Sequence, residues 1–339
     1  MKWKFFSPAC LFVLLIPAQP KTLQALPGNH NVEGTERGYR HAASVLETGR
    51  VQSGGRLSSG QRLQQRGLVG RPSPRAVPTG ASALVPASNP GSIFFVPPTY
   101  GSGGGGARAI AVADFNGDGK QDLAVTNHCF DSNCTSGSVA VLLGKGDGAY
   151  QPAVAYDAAG YFTQSVTAAD FNGDGKLDLA LANQCSDLSC TNGSVTVLLG
   201  NGDGSFRAAV SYASGGDASF VTAGDLNGDG KLDLVVANYE IDNVGVLLGN
   251  GDGTFQSVST YASGGENASS VALADLNGDG RLDLAVTNYL SGTVAVLLGN
   301  GNGTFQSAVS YSTGGALAST VVVADFNHDN KPDLAVANV

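Results

Sequence analysis

The chain has 339 residues, with 28 acidic side chains against 19 Lys or Arg, a formal net charge of −9 at pH 7. The charge is unevenly placed: residues 26–90 hold eight arginines and three glutamates, whereas from residue 91 onward 25 acids face eight bases, a net of 8 − 25 = −17. So acidic a body argues against a nucleic-acid-binding face, which needs clustered bases, and points to capture of cations.

Met1-Lys2-Trp3-Lys4 and the apolar run from Phe5 through Pro17 read as a secretory signal peptide over residues 1–25, with cleavage after Ala18 or Ala25. The run is too short to cross a bilayer, so no membrane span is expected. Cys10 is expected to leave with the signal. Residues 26–90 are rich in Arg, Gly, Ser and Pro with little apolar periodicity, the composition of a disordered linker.

From residue 91 a repeat takes over, with successive copies spaced by 56, 55, 50 and 50 residues. A period near fifty with several short strands per unit is the signature of a propeller. The chain enters it through a lone strand, Ser92–Tyr100, runs through four complete units of four strands (a to d) and ends after strand b of a fifth. Strand a is Ile110–Ala113 and its copies. Strand b follows as Asp122-Leu123-Ala124-Val125-Thr126-Asn127, and strand c as Val139–Leu143. Strand d is expected at Tyr150–Tyr156, Phe206–Tyr212, Phe255–Tyr261 and Phe305–Tyr311.

Between strands a and b lies the most repeated segment, at 114–122, 170–178, 225–233, 275–283 and 325–333, always Asp-x-Asn-x-Asp-x-x-x-Asp. Oxygen side chains at positions 1, 3, 5 and 9 are what a hard dication requires of a short loop, and calcium is the expected ion. The candidate ligands are Asp114, Asn116, Asp118 and Asp122; Asp170, Asn172, Asp174 and Asp178; Asp225, Asn227, Asp229 and Asp233; Asp275, Asn277, Asp279 and Asp283; and Asp325, Asn327, Asp329 and Asp333. Position 7 (Lys120, Lys176, Lys231, Arg281, Lys331) is expected to add its backbone carbonyl while its side chain points into water. Position 12 is Val125, Leu181, Val236, Val286 or Val336, where a helix–loop–helix calcium site needs a carboxylate; a strand follows, so the loop is a hairpin turn. In the fifth loop His328 and Asn330 replace glycines, which predicts a weaker site. The Gly-x-Gly-Asp-Gly segment between strands c and d carries one acid, or Asn302, and reads as a metal-free turn.

Four cysteines remain, paired as Cys129 with Cys134 and Cys185 with Cys190 at the same place in the first two units. In an exported chain these predict two local disulfides; a four-cysteine zinc site lacks the close spacing it needs.

Asp-Phe-Asn-Gly-Asp-Gly-Lys-x-Asp-Leu-Ala followed by Val-Leu-Leu-Gly-Asn-Gly-Asp-Gly-x-Phe resembles the FG-GAP/VCBS repeat, whose blade is shared with the integrin α-chain propeller, over residues 91–339. The resemblance implies an all-β propeller of four-stranded blades, here incomplete, with up to five calcium ions held by the a–b loops. Family propellers usually have about seven blades, and the sequence reads as a fragment of one.

Strand parity puts the a–b and c–d connections on one face and the b–c and d–a connections on the other. The b–c loops differ most among the units and carry the cysteines, so a protein or glycan partner is expected there. The function expected is a secreted binding or adhesion module with structural calcium, not an enzyme. A polysaccharide lyase or hydrolase on the same scaffold is the alternative, as is a structural repeat of a larger surface protein. No Gly-x-Ser-x-Gly elbow or His-Glu-x-x-His helix is present. The oligomeric state is not read from the sequence.

Overall fold

The computed structural model describes Ile16–Pro17 and residues 99–339; the signal-peptide expectation (beyond those two residues), the linker and residues 92–98 of the strand expected at Ser92–Tyr100 lie outside the described residues, and Thr99 and Tyr100 are not in a strand. The described chain is all-β, with no helix. Four antiparallel sheets of four strands follow one another, each in the order a-b-c-d, and a fifth holds strands a and b, with Ile16–Pro17 paired to strand b through Ile16 and Leu334. The first sheet comprises Gly105–Ala113, Asp122–Cys129, Ser138–Leu142 and Val154–Asp157. The third comprises Ala218–Gly224, Asp233–Asn238, Asn243–Leu247 and Ser259–Ala262. These are propeller blades: the a strands of successive sheets pack side by side, and each sheet lies against the next.

Strand b explains why the blades stack. Asp233-Leu234-Val235-Val236-Ala237-Asn238 is buried along its whole length, because neighbouring sheets cover both of its faces. Leu234 and Val236 enter the core shared with the second sheet, alongside Ala180, Ala182 and Val195, while Val235 and Ala237 enter the core shared with the fourth. Each such Leu or Val contributes about 1.5–3 kcal/mol. The arc does not close, and at its two ends the residues that would meet a further blade are open: Ile110 is 60% and Val322 53% exposed, against 2% for Val221 inside the arc.

Strand d is shorter than the sequence suggests. It begins only at Val154, Val210, Ser259 and Val309, and Tyr150, Phe206, Phe255 and Phe305 are held by single bridges to Gly144, Gly200, Gly249 and Gly299. The aromatic residue is there to fill an inter-sheet gap: the Phe206 ring packs edge-on against Phe115 of the preceding sheet and Tyr156, at 5.8 and 5.6 Å.

Candidate functional site

The acidic loops fold on their own oxygen atoms. In the first, Asp114 Oδ1 accepts from the Gly117 and Asp118 N–H groups at 2.8 and 3.2 Å, and Oδ2 from Gly119 at 2.7 Å. Asn116 Oδ1 accepts from Asp118 and Asp118 Oδ1 from Lys120, both at 3.0 Å. Gly117 and Gly119 take φ of +72° and +80°, a conformation open to glycine. His328 and Asn330 adopt the same region at +62° and +63°, so the fifth loop keeps the shape at a cost in strain.

Position 9 does a different job. Asp122 is fully buried, and its two oxygens accept from Phe115 N at 2.9 Å and from Gly144 N at 2.7 Å. Asp178, Asp233 and Asp283 repeat both bonds. One carboxylate thus ties the a–b loop to the c–d turn of its own sheet. The next sheet joins the same knot, for Gly204 N donates to Phe115 O at 3.1 Å and Gly253 N to Phe171 O at 3.1 Å.

Three of the four position-7 lysines stay exposed while reaching an acid of their own loop. Their ammonium groups turn back on the position-5 acid, Lys120 to Asp118 at 3.1 Å, Lys231 to Asp229 at 3.7 Å and Lys176 to Asp174 at 3.8 Å. Charge also crowds around position 9, where burial raises the pKa of Asp178, Asp233 and Asp283 and the acids at positions 1 and 5 raise it further. The exposed lysine pairs stabilise little. The stem of Lys176 lies across Gly202, where an added Cβ would sit 2.9 Å from its Cδ.

The donors suit a hard cation: every loop offers carboxylate, amide and carbonyl oxygens, the carboxylates crowd one another, and an oxygen accepting one N–H, such as Asp114 Oδ2 or Asn116 Oδ1, retains a lone pair, whereas Asp114 Oδ1, which accepts two, does not. As folded, the side chains face backbone N–H groups, and among the described residues no three acidic, His or Cys side chains form a ready-made metal cluster.

The opposite face is built on a residue whose role the sequence reading did not assign. Strand b carries a buried Asn at or near its far end: Asn127, Asn183, Asn238 and Asn288 donate from Nδ2 to Ser102 O, Ala158 O, Ser214 O and Ser263 O at 2.8, 3.2, 2.9 and 3.1 Å. Each amide thereby fastens the d–a connection that brings the chain in from the preceding sheet. Its signal was the fixed Asn five residues after each position-9 Asp.

Beyond these amides the repeats diverge. The disulfides Cys129–Cys134 and Cys185–Cys190 close the first two b–c loops. The four loop tips expose Phe130, Leu188, Ile241 and Leu290. Every a strand also carries a β-bulge near this face, at Ser219 in the third sheet and Ser269 in the fourth. A bulge re-aims the extra side chain, and here it helps to shape a cavity of about 250 Å³ lined by Gln164, Gln184, Asp217, Ser219, Tyr239 and Ser269. In the first sheet the matching strand ends carry Arg108 and His128; His128 stacks on Phe162 at 4.4 Å, and burial, followed by Arg108, holds its pKa below the usual value.

The FG-GAP-like repeat profile matches residues 130–181, 187–236, 225–286 and 278–336, and the FG-GAP repeat profile matches residues 106–142. No curated protein matches the chain. Among solved structures, similarity extends to one described as the basis of specific recognition of non-reducing terminal N-acetylglucosamine by an Agrocybe aegerita lectin. It has 25% identity and a TM-score of 0.44, covering 66% of this chain and 59% of that one. A functionally unknown protein from Desulfotomaculum acetoxidans DSM 771 shows 11% identity and a TM-score of 0.47, covering 64% of this chain and 59% of that one. The chain therefore spans about 59% of the length of either structure.

Proposed function

The chain belongs to the FG-GAP-like repeat family, and from that premise we propose that it is an exported, calcium-stabilised binding module that engages a protein or glycan partner through the face of the b–c and d–a loops. The observation that carries this reading is the division of labour between the faces. The a–b loops and c–d turns repeat nearly the same residues from sheet to sheet, as a scaffold does. On the other face, stapled loops, apolar tips and the cavity differ from unit to unit, as a recognition surface does. Two disulfides fit an oxidising compartment, and no helix is long and apolar enough to cross a membrane.

Calcium, when bound, supplies the positive charge that the crowded carboxylates lack. Positions 1, 3, 5 and 9 and the position-7 carbonyl would hold it, as in Asp225, Asn227, Asp229, Lys231 and Asp233. Asp233 then keeps the loop, its own c–d turn and the next sheet in one unit, which is why the role assigned to the ion is structural.

A binding screen on immobilised glycans and matrix proteins tests the reading, run with the native protein and with Leu188→Ser and Ile241→Ser. Loss of the captured partner with an unchanged melting temperature supports it. Partner binding that survives those changes but disappears on altering the c–d turns would move the function to the other face.

A further inference from the structure

We propose that the cavity between the second, third and fourth sheets is a binding site for an organic cation, a primary ammonium or guanidinium group, with Asp217 as its counter-ion. The inference deepens the binding-module reading and rests on it. Asp217 Oδ1 accepts from Glu240 N at 2.7 Å, whereas Oδ2 is buried and has no partner. A buried carboxylate oxygen without a donor is costly, and no Lys, Arg or His lines this cavity. Burial pushes the Asp217 pKa up, and Glu240 and Asp242 push it further, so the surroundings add negative charge and no compensation.

The remaining lining is polar and uncharged. Ser219 Oγ donates to Ala237 O or Ala268 O at 3.1 Å, and Ser269 Oγ to Ala318 O at 3.0 Å. Gln164 Nε2 donates to Gln184 Oε1 at 3.2 Å. These groups leave capacity of both kinds, acceptors at Asp217 Oδ2, Gln164 Oε1 and the hydroxyl oxygens and donors at the Gln184 Nε2 amide and the Tyr239 hydroxyl, so it is the unpaired carboxylate oxygen of Asp217 that selects for charge. A guest rich in donors satisfies the acceptors, with three from an ammonium or five from a guanidinium. A neutral polyol can hydrogen-bond to the same groups but leaves the Asp217 charge without a counter-ion.

Tyr239 forms the aromatic wall, with the Tyr289 ring 6.0 Å away, and a cation beside such faces gains further. About 250 Å³ lies below the ordinary range for whole drug-sized ligands and suits one side chain or a small amine. The cation can arrive on a partner protein's Lys or Arg, or as a free amine or amino sugar.

The test is titration calorimetry on the full chain in saturating calcium with Nα-acetyl-arginine methylamide, Nα-acetyl-lysine methylamide, glucosamine and two neutral controls, the citrulline analogue of the first and N-acetylglucosamine. Binding of a cationic probe at least about tenfold tighter than its neutral control is expected, and Asp217→Asn should remove that preference. Arginine or lysine amides binding ahead of glucosamine assign the cation to a protein; the reverse assigns it to a small amine. Asp131→Asn, an equal charge change on a distant loop, should leave the affinity unaltered.

Equal binding of charged and neutral probes, or the same loss from Asp131→Asn as from Asp217→Asn, overturns the proposal. Such a result leaves the wider reading standing as long as the Leu188→Ser and Ile241→Ser variants still lose their partner.

Discussion

Each b strand is anchored at both ends by one buried polar side chain, and the two ends behave differently. Asp122, Asp178, Asp233, Asp283 and Asp333 begin the strands; Asn127, Asn183, Asn238, Asn288 and Asn338 lie at or near their far ends, and all ten are buried. Both kinds fasten a connection by accepting from, or donating to, its backbone, except Asn338, which meets the d–a connection by accepting from Thr313 Oγ1. The carboxylate knot is charged and crowded by two more acids, so its strength depends on what neutralises it. The amide knot is neutral and holds under any condition that keeps the sheet folded. The lesson is about tolerance: with the d–a backbone already fastened by Asn, the loops beyond it are free to lengthen, acquire disulfides and diverge.

The sharpest way to break this comparison is chelation. At a hundredfold excess over its Kd, calcium should add about 2.7 kcal/mol per occupied loop, accumulating over as many as five. Urea unfolding in calcium and in EDTA is the measurement. Coincident curves would show that the acidic face needs no ion and that both knots are unconditional.

Next in size are paired substitutions in the third sheet, measured in EDTA. Asp233→Ala strands two buried donors, Leu226 N and Gly249 N, and should cost about 2–6 kcal/mol. Asn238→Ala strands one carbonyl, Ser214 O, and should cost about 1–3 kcal/mol. Calcium titration separates the roles: Asp233→Ala should remove one equivalent and Asn238→Ala none. A lost equivalent in Asn238→Ala would mean that the two faces are not independent.

A smaller effect is expected from pH. Burial, and then the neighbouring acids, raise the folded pKa of Asp178, Asp233 and Asp283. An acid raised in this way stabilises the fold below its unfolded pKa of about 3.9 and loses that contribution as pH rises through the folded value. The calcium-free protein should therefore gain stability on acidification from neutrality toward about pH 4. Asp118, Asp203 and Asp252 are lowered by hydrogen bonds from Lys120, Ser205 and Thr254 and work in the opposite sense only below the ordinary carboxylate range. With calcium bound, protons compete with the ion for the same oxygens, so the loaded protein should lose its advantage over the same descent. Parallel pH profiles in calcium and EDTA would sink this account.

The smallest effect belongs to the fifth loop. His328→Gly relieves a left-handed non-glycine residue and should stabilise by about 1 kcal/mol or less, the gain being offset by the entropy glycine brings to the unfolded chain. It should also tighten calcium at that loop toward the affinity of the other four. An unchanged affinity would show that backbone strain does not limit the fifth site.

Much of this was legible because its causes are local. The loops announce themselves through acids at fixed offsets and glycines that take positive φ, and Cys129 and Cys134 are so close in sequence that pairing needs no knowledge of the fold. The misreadings share one cause. Phe206 was assigned to a strand from its place in an alternating run, but it sits where it does to meet Phe115 of another sheet. Asn238 looked like the last letter of a strand until the d–a backbone beneath it became visible.

The sequence alone determined the repeat, through a motif that returns every 50–56 residues, and within each copy the strands, the hairpin loops with their oxygen donors and the local cysteine pairs, which follow from residues close together in the chain. Only the tertiary structure decided that Asp233 locks two connections, and that Gln164, Asp217, Tyr239 and Ser269, drawn from three sheets, surround one cavity. The physical reason is distance along the chain: the backbone preferences of a short segment are its own, whereas the partner of a buried oxygen is supplied by whichever segment packing brings beside it.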